Sequence, residues 1–261
     1  MRFLVFSSEA LIVRVAVLAD IHANIEAFQA VLSDLEEQRT DRILHLGDLV
    51  GYNASPNECV ELAVKIKMDS IKGNHDKAIC KQSLAEKFNI YAQKVILWTK
   101  DVLTAENTRF LDTLAESSKT PCGLACHGSP ENLLSYVELH FQAKAILKKL
   151  KKGFWGQINV CHFGHTHKRK IWRMDVRGKV APLEIPADGF IRLDPEEFYL
   201  LNPGSVGQPR NGDPRSSYFI FDTNNNTVNF RLVDYDRATT MKKIIAADLP
   251  EFFAQRLADG T

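Results

Sequence analysis

The first half of the chain alternates short apolar runs with stretches of helical periodicity, and this order constrains the fold more than any other feature. Residues 13–19 are typical of a buried strand, and residues 25–37 follow with apolar positions at helical spacing. A strand over 43–46, a helix over 56–66 and a strand over 68–72 continue the pattern. A β-α-β-α-β order predicts parallel strands joined by right-handed crossovers, so we expect the α/β class.

The second half is richer in strands. Residues 77–120 first form a helical segment, because 89–103 and 105–115 have helical periodicity without a strand pattern. A further helix is predicted over 139–150, among strand-like runs at 124–126, 158–163, 171–176, 198–201, 218–222 and 228–233. No repeat or linker divides the chain, so we expect a single domain over 1–261, with 1–12 as an N-terminal extension or an extra edge strand.

Composition excludes several classes of protein. A length of 261 residues is sufficient for one large α/β core. The 33 basic and 32 acidic residues leave a net charge of +1, which gives no strong signal of nucleic-acid binding. No apolar run reaches the roughly 18–20 residues that a membrane span requires. Five scattered cysteines without a C-x-x-C pair predict reduced thiols and a cytoplasmic location. The oligomeric state stays open.

Polar motifs follow five of the predicted strands at their carboxyl ends. In open α/β sheets, ligands bind outside the carboxyl ends of the strands, so these five loops are expected to converge. The motifs are Asp20-Ile21-His22, Gly47-Asp48, Gly73-Asn74-His75-Asp76, His127-Gly128 and Gly164-His165-Thr166-His167.

The side chains in these motifs suit a particular group of metals. Imidazole, carboxylate and amide oxygen without thiolate favour Mn²⁺, Fe, Co²⁺, Ni²⁺ or Zn²⁺. In D-x-H and H-x-H, alternate side chains of an extended segment point the same way and can reach one ion. The candidate ligands exceed what one ion needs, whereas two ions with a bridging carboxylate use them all and can clamp a phosphoryl group. These candidates are Asp20, His22, Asp48, Asn74, His127, His165 and His167.

Taken together, the five motifs resemble the calcineurin-like metallophosphoesterases in order and spacing. The run NPGSVGQPR over 202–210 resembles the small bacterial and archaeal phosphodiesterase branch of that family. The resemblance implies a four-layer α/β/β/α sandwich and two divalent metal ions, with Mn²⁺ preferred. It implies that Asp48 bridges the ions, of which one is held by Asp20, His22, Asp48 and His167, and the other by Asp48, Asn74, His127 and His165.

The resemblance also implies roles for residues beside the metals. His75 is expected to stabilise the phosphoryl oxygens or to protonate the leaving group, and Asp76 is a candidate to orient it. Asn24 is either a helix N-cap or a phosphate contact. Arg210 is a candidate to bind a substrate phosphate bidentately. The implied reaction is hydrolysis of a small phosphorylated substrate by in-line attack of hydroxide held by the two ions.

One departure from the family bears on the substrate. The Ser/Thr protein phosphatases continue G-D as G-D-x-V-D-R-G, whereas Gly51 and Tyr52 stand at the positions of that aspartate and arginine. We therefore expect a phosphoesterase, preferably a phosphodiesterase. A dinucleoside polyphosphate hydrolase or a protein phosphatase is the alternative. A non-catalytic scaffold on the same fold is less favoured, because the ligands and His75 are all present.

Overall fold

Two six-stranded sheets lie at the centre of the computed structural model, which describes residues 14–187 and 189–261. The predicted extension or edge strand over 1–12 lies outside the described residues. In chain order the strands are β1 (Arg14–Leu18), β2 (Arg42–His45), β3 (Asp69–Ser70), β4 (Ser117–Thr120), β5 (Gly123–Cys126), β6 (Val160–His162), β7 (Arg169–Met174), β8 (Val180–Leu183), β9 (Phe190–Arg192), β10 (Phe198–Pro203), β11 (Ser216–Asp222) and β12 (Thr227–Val233).

The helices alternate with the strands in the first half and return at the end of the chain. They are α1 (Ile25–Glu36), α2 (Pro56–Lys65), α3 (Asn74–Cys80), α4 (Gln82–Ala85), α5 (Ile90–Val102), α6 (Ala105–Thr113), α7 (His140–Lys151), α8 (Arg237–Ala246) and α9 (Glu251–Asp259). Among the residues described, no helix is long and apolar enough to cross a membrane.

The two sheets pack face to face between helices. The first sheet has the order β3-β2-β1-β11-β12-β9 and the second has the order β4-β5-β6-β10-β7-β8. Side chains from both sheets, such as Val17 and Leu201, form one core between them. A second core joins the outer face of the first sheet to α1 and α2, and a third joins the second sheet to α7. The predicted four-layer α/β/β/α sandwich is confirmed.

The parallel strands at the start of the chain are also confirmed. β1 pairs with β2, and β2 with β3, in parallel register. Their carboxyl ends therefore lie side by side at one end of the first sheet. In the second sheet, β5 and β6 are likewise parallel, and their carboxyl ends lie at the same end of the sandwich. The sandwich thus brings loops from both sheets together at one end.

The structure corrects one local expectation. The sequence places Asn74 and His75 in a loop that follows the third predicted strand. They instead form the first turn of α3, which begins directly after the short loop that follows β3. A helical first turn directs its free backbone N–H groups towards the preceding loop, and this geometry shapes the site described next.

Candidate metal centre

The five polar motifs converge at the same end of the two packed sheets. The loops after β1, β2 and β3 come from the first sheet, and those after β5 and β6 from the second. Backbone hydrogen bonds join them: Asp20 N donates to Gly47 O at 3.1 Å, and Gly164 N donates to His127 O at 2.8 Å. The predicted ligand side chains are all buried, with at most 5% of any of them exposed.

The ligand atoms fall into groups that share Asp48. Asp48 Oδ2 lies 3.6 Å from His22 Nε2 and 3.3 Å from His127 Nε2. On one side, His22 Nε2 lies 3.1 Å from His167 Nε2, and His167 Nε2 lies 3.5 Å from Asp20 Oδ1. These separations match neighbouring ligand atoms around an ion at metal–ligand distances of about 2.0–2.2 Å.

The other side of Asp48 has the same character. His127 Nε2 lies 2.8 Å from Asn74 Oδ1 and 3.1 Å from His165 Nδ1. A further possible group is formed by His22, Asp48 and His75, so the geometry also brings His75 within reach of a cation. The seven candidate ligands are thus assembled as two adjoining groups with one carboxylate between them.

Three of the histidines are oriented by backbone carbonyl groups. An imidazole whose Nδ1–H donates to a carbonyl carries no proton on Nε2 in its neutral form, and that nitrogen is then free to bind a metal. The three bonds are His22 Nδ1 to Val50 O at 3.1 Å, His127 Nδ1 to Leu46 O at 2.8 Å and His167 Nδ1 to Gln208 O at 2.6 Å. In this state the Nε2 atoms of His22 and His167 both lack a proton, so they cannot form a hydrogen bond with each other. A cation between them can accept both lone pairs.

Burial makes the charged forms of these groups costly. It raises the pKa of Asp20 to about 8 and lowers the pKa of His165 to about 3. Burial also opposes ionisation of Asp48, but the surrounding imidazoles more than offset this and hold the pKa of Asp48 well below its usual value. A divalent cation compensates buried carboxylates and binds neutral imidazoles, so this donor set fits the metals that the sequence indicated.

Several residues of the ligand loops have a positive backbone φ angle, which residues other than glycine rarely adopt. A positive φ for a residue with a Cβ costs free energy and persists only where the surroundings enforce it. Several candidate ligands have such values: Asp20 at 55°, His22 at 48°, Asp48 at 60°, His165 at 67° and His167 at 58°. Strain concentrated in these residues is typical of a functional site.

Asp76 organises the loop of Asp48 and does not orient His75. Its carboxylate accepts backbone N–H groups of Gly73 and Asp48 at 2.9 Å, and also those of Leu49 and Val50. These bonds occupy the carboxylate, so the candidate role of orienting His75 is wrong. The His75 ring is positioned by aromatic neighbours instead, with ring centroids 4.4 Å away for Tyr52 and 4.9 Å away for Phe88.

Asn24 takes the first of its two alternative roles. Its Oδ1 accepts Ala27 N at 3.1 Å and caps α1, and its Nδ2 donates to Gly207 O at 2.9 Å. The side chain is fully buried. The helix N-cap is therefore the role that the structure gives to Asn24, and both ends of the amide are occupied by the protein.

A cavity of about 310 Å³ lies above the two ligand groups. Arg210 lines it, as expected for a substrate contact, together with His75 and several of the candidate ligands. Tyr52, which the comparison with the protein phosphatases had singled out, lines it too. Motifs gave no indication of the remaining lining residues, which are Lys87, Phe88, Asn89, Leu134 and Tyr136. The Tyr136 ring packs against the His165 ring with centroids 4.0 Å apart and an angle of 38° between the ring planes, yet Tyr136 lies in a loop without any motif.

Comparison with known proteins agrees with this geometry. A family model described as the calcineurin-like phosphoesterase superfamily domain matches residues 13–226. An uncharacterized protein of Methanocaldococcus jannaschii is 35% identical over 250 residues, which cover 94% of this chain and 98% of that protein.

Solved structures agree as well. A metallophosphoesterase from Sphaerobacter thermophilus has a TM-score of 0.81 and 36% identity, over 96% of this chain and 100% of that chain. A hypothetical protein from Pyrococcus horikoshii OT3 shares the fold, with a TM-score of 0.76 and 21% identity over 95% and 98% of the two chains. The family implies divalent metal ions, and the buried donor set fits them. This chain belongs to the calcineurin-like phosphoesterase superfamily.

Proposed function

We propose that the chain is a phosphoesterase with a dinuclear metal centre, and that phosphodiesters are its preferred substrates. The observation that carries this proposal is the position of Asp48. Its Oδ2 atom lies within 3.6 Å of His22 Nε2 in one ligand group and within 3.3 Å of His127 Nε2 in the other. A single carboxylate between two groups of donors suits two ions better than one.

The residues divide into those that hold ions and those that face the substrate. Asp20, His22, His167 and Asp48 would hold one ion, and Asp48, Asn74, His127 and His165 the other. When bound, such ions supply Lewis acidity and activate water at neutral pH. His75 borders the same cavity, where its imidazole can donate a proton to a leaving oxygen or a hydrogen bond to a phosphoryl oxygen.

Tyr52 supports the preference for diesters. It stands where the protein phosphatases have an arginine, and burial raises the pKa of its phenol, so the side chain is neutral at pH 7. Its ring packs against His22 and His75 with centroids 4.4 Å from each. A monoester carries about one more negative charge than a diester near pH 7, and a neutral residue at this position compensates that charge less well.

A substrate panel tests this proposal. The protein, reconstituted with Mn²⁺, is assayed with bis(4-nitrophenyl) phosphate, 4-nitrophenyl phosphate, a phosphoserine peptide and a dinucleoside tetraphosphate. We expect kcat/KM to be highest for the diester and negligible for Asp48→Ala, a control for contaminating phosphatases. A phosphopeptide hydrolysed with higher kcat/KM than every diester tried would overturn the diester preference, and a polyphosphate hydrolysed best would favour the dinucleoside polyphosphate alternative.

A further inference from the structure

Arg210 carries a positive charge in the cavity wall that the protein does not neutralise. Its Nε and Nη2 atoms donate to Gln208 Oε1 at 3.2 and 2.7 Å. Its guanidinium carbon lies 5.4 Å from the centre of the Tyr52 ring. Within residues 14–187 and 189–261, no carboxylate forms an ion pair with it. The neutral amide oxygen thus directs the guanidinium and leaves its charge available to a ligand.

A second guanidinium, that of Arg256, lies on α9, the helix that packs against the cavity-lining residue Tyr52. Its guanidinium carbon lies 4.9 Å from the centre of the Phe252 ring. Its Nε atom is buried and has no hydrogen-bond partner, and in the part of the chain that the structure describes Arg256 forms no ion pair. One turn earlier on the helix, Phe253 packs against Tyr52 with ring centroids 4.9 Å apart.

The end of α9 is fixed to the loop that follows Arg210. Gly212 N donates to Gly260 O at 2.8 Å, and Arg210 N donates to His167 O at 3.2 Å. Burial lowers the pKa of Arg256, and the positive charge of Arg210 lowers it further. Burial raises the pKa of the Tyr136 phenol, which borders the cavity, and the charge of Arg210 opposes that rise.

Two like charges that are partly buried and unpaired repel each other, and the repulsion is stronger than it is in water. An anion near both relieves it. Guanidinium groups match the planar, bidentate geometry of phosphate and carboxylate oxygens, so these are the anions that such a pair best accommodates. Arg210 lines the cavity together with several of the metal ligands, and α9 approaches the same cavity through the contact of Phe253 with Tyr52.

We propose that Arg210 and Arg256 form a subsite for a second anionic group of the substrate, beside the phosphoryl group that reacts at the metal centre. The inference rests on the proposed phosphoesterase function and narrows its substrate class. The preferred substrate is a small phosphodiester that carries a further phosphate or carboxylate group. Arg256 is then a specificity-determining residue contributed by the C-terminal helix.

Two matched esters test the subsite. Thymidine 5′-(4-nitrophenyl phosphate) and its 3′-phosphorylated form share the same reacting ester and differ only in a second anion. We expect the Mn²⁺-loaded protein to release nitrophenol from the 3′-phosphorylated ester with kcat/KM roughly ten- to hundredfold higher, the effect of charged hydrogen bonds. Arg256→Gln should remove most of this preference through KM, and Arg256→Lys should retain part of it.

Arg109→Gln is the matched control, because Arg109 is an exposed arginine on α6 and its loss changes the net charge equally. It should keep the preference of the unmodified protein. Thermal unfolding of each variant verifies that it is folded. Equal kcat/KM for the two esters, or a preference that Arg256→Gln leaves intact, would overturn the subsite while the phosphoesterase function stands.

Binding to the metal-free protein separates the subsite from catalysis. Calorimetry with thymidine 3′,5′-bisphosphate and thymidine 5′-monophosphate should give a Kd roughly tenfold lower for the bisphosphate, and this difference should be lost in Arg256→Gln. A bisphosphate preference in a protein that hydrolyses none of the diesters would support the subsite and overturn the proposed function. The absence of any bisphosphate preference would contradict the subsite independently of activity.

Discussion

Asp48 is the residue on which both ligand groups depend. Asp48→Ala removes the only carboxylate that the two groups share, so we expect bound Mn²⁺ to fall from about two ions per chain to less than one. Activity should fall by at least about 10²-fold, as for the loss of a main electrostatic contact to the transition state. Elemental analysis after gel filtration measures the metal content. Asp101→Ala, an exposed carboxylate on α5, is the control and should retain both ions.

His75 belongs to the same centre but is expected to act on the substrate. His75→Ala should retain both ions and lose on the order of 10²–10⁴ in kcat, the usual effect of general acid–base catalysis. The loss should be smaller for nitrophenyl esters than for alkyl esters, because nitrophenol leaves without a proton. Kinetics with both esters, beside a metal assay, measure this.

Each alternative role of His75 predicts a different experimental outcome for His75→Ala. An equal loss of kcat on both esters would favour electrostatic stabilisation of the phosphoryl oxygens over proton donation. Loss of an ion would show that His75 is a ligand, which its proximity to His22 and Asp48 makes a real alternative. His140→Ala is the control, since His140 is an exposed imidazole at the start of α7.

At the scale of elements, three strands in the described part of the chain were not predicted from the sequence, and all three lie at sheet edges there. β4 and β8 form the two edges of the second sheet, and β9 forms one edge of the first. An edge strand is less buried and its composition is less apolar, as in Ser-Ser-Lys-Thr of β4, so it lacks the pattern by which central strands are recognised. α8 and α9 were missed as well.

Another element-scale feature is the contact that joins α1 to the first sheet. Asp34 on α1 accepts Arg231 Nε and Nη2, both at 2.6 Å, and also the Tyr218 hydroxyl. The hydrogen bonds from Arg231 lower the pKa of Asp34 against the opposing effect of burial. Asp34→Asn should therefore lower the free energy of unfolding by about 2 kcal/mol at pH 7, the scale of hydrogen bonds to a charged group. Urea unfolding of the metal-free protein measures it.

The pH dependence follows from the direction of that shift. A carboxylate with a lowered pKa in the folded state stabilises fully above its unfolded-state pKa of about 3.9. The difference between Asp34→Asn and the unmodified protein should decline as the pH falls and vanish below the folded-state pKa. Asp213→Asn is the matched control: Asp213 also binds an arginine bidentately, but Arg215 is two residues away and joins no second element. Its cost should stay below about 1 kcal/mol, and a similar cost for both would refute the argument.

At the scale of the whole molecule, the C-terminal helix α9 reaches the site although it lies beyond the residues that the family model matches. Phe253 on α9 is 2% exposed and packs against Tyr52, which contacts His22 and His75. Phe253→Ala should lower the free energy of unfolding by about 3–5 kcal/mol through the cavity it creates. It should also lower kcat/KM, because Tyr52 loses its support.

Urea unfolding and diester kinetics measure the two effects of Phe253→Ala. Phe154→Ala is the control, since Phe154 is 66% exposed in the loop after α7 and should change the free energy of unfolding by less than about 0.5 kcal/mol. Unchanged kinetics in a destabilised Phe253→Ala would limit α9 to a structural role.

The site was more predictable from the sequence than its surroundings were. The seven candidate ligands are recognisable because metal chemistry restricts each position to a few side chains at fixed spacing, and the structure assembles them. Tyr136 and Arg256 carry no such signature. An aromatic ring or an arginine serves many purposes, and its position at the cavity depends on how distant elements pack. The contacts of Asp76 with four backbone N–H groups likewise depend on the helical turn that begins at Asn74.

The origin of the ligands in both sheets has a thermodynamic consequence. Asp20, His22, Asp48 and Asn74 follow strands of the first sheet, and His127, His165 and His167 follow strands of the second. Cations bound by both sets would act as a reversible cross-link between the two sheets of the sandwich. One site held at 100 times its Kd adds about 2.7 kcal/mol to the unfolding free energy, and neither half can open without forfeiting it. The cooperativity of unfolding should then increase with the concentration of the metal ion. Calorimetry at several ion concentrations measures this dependence.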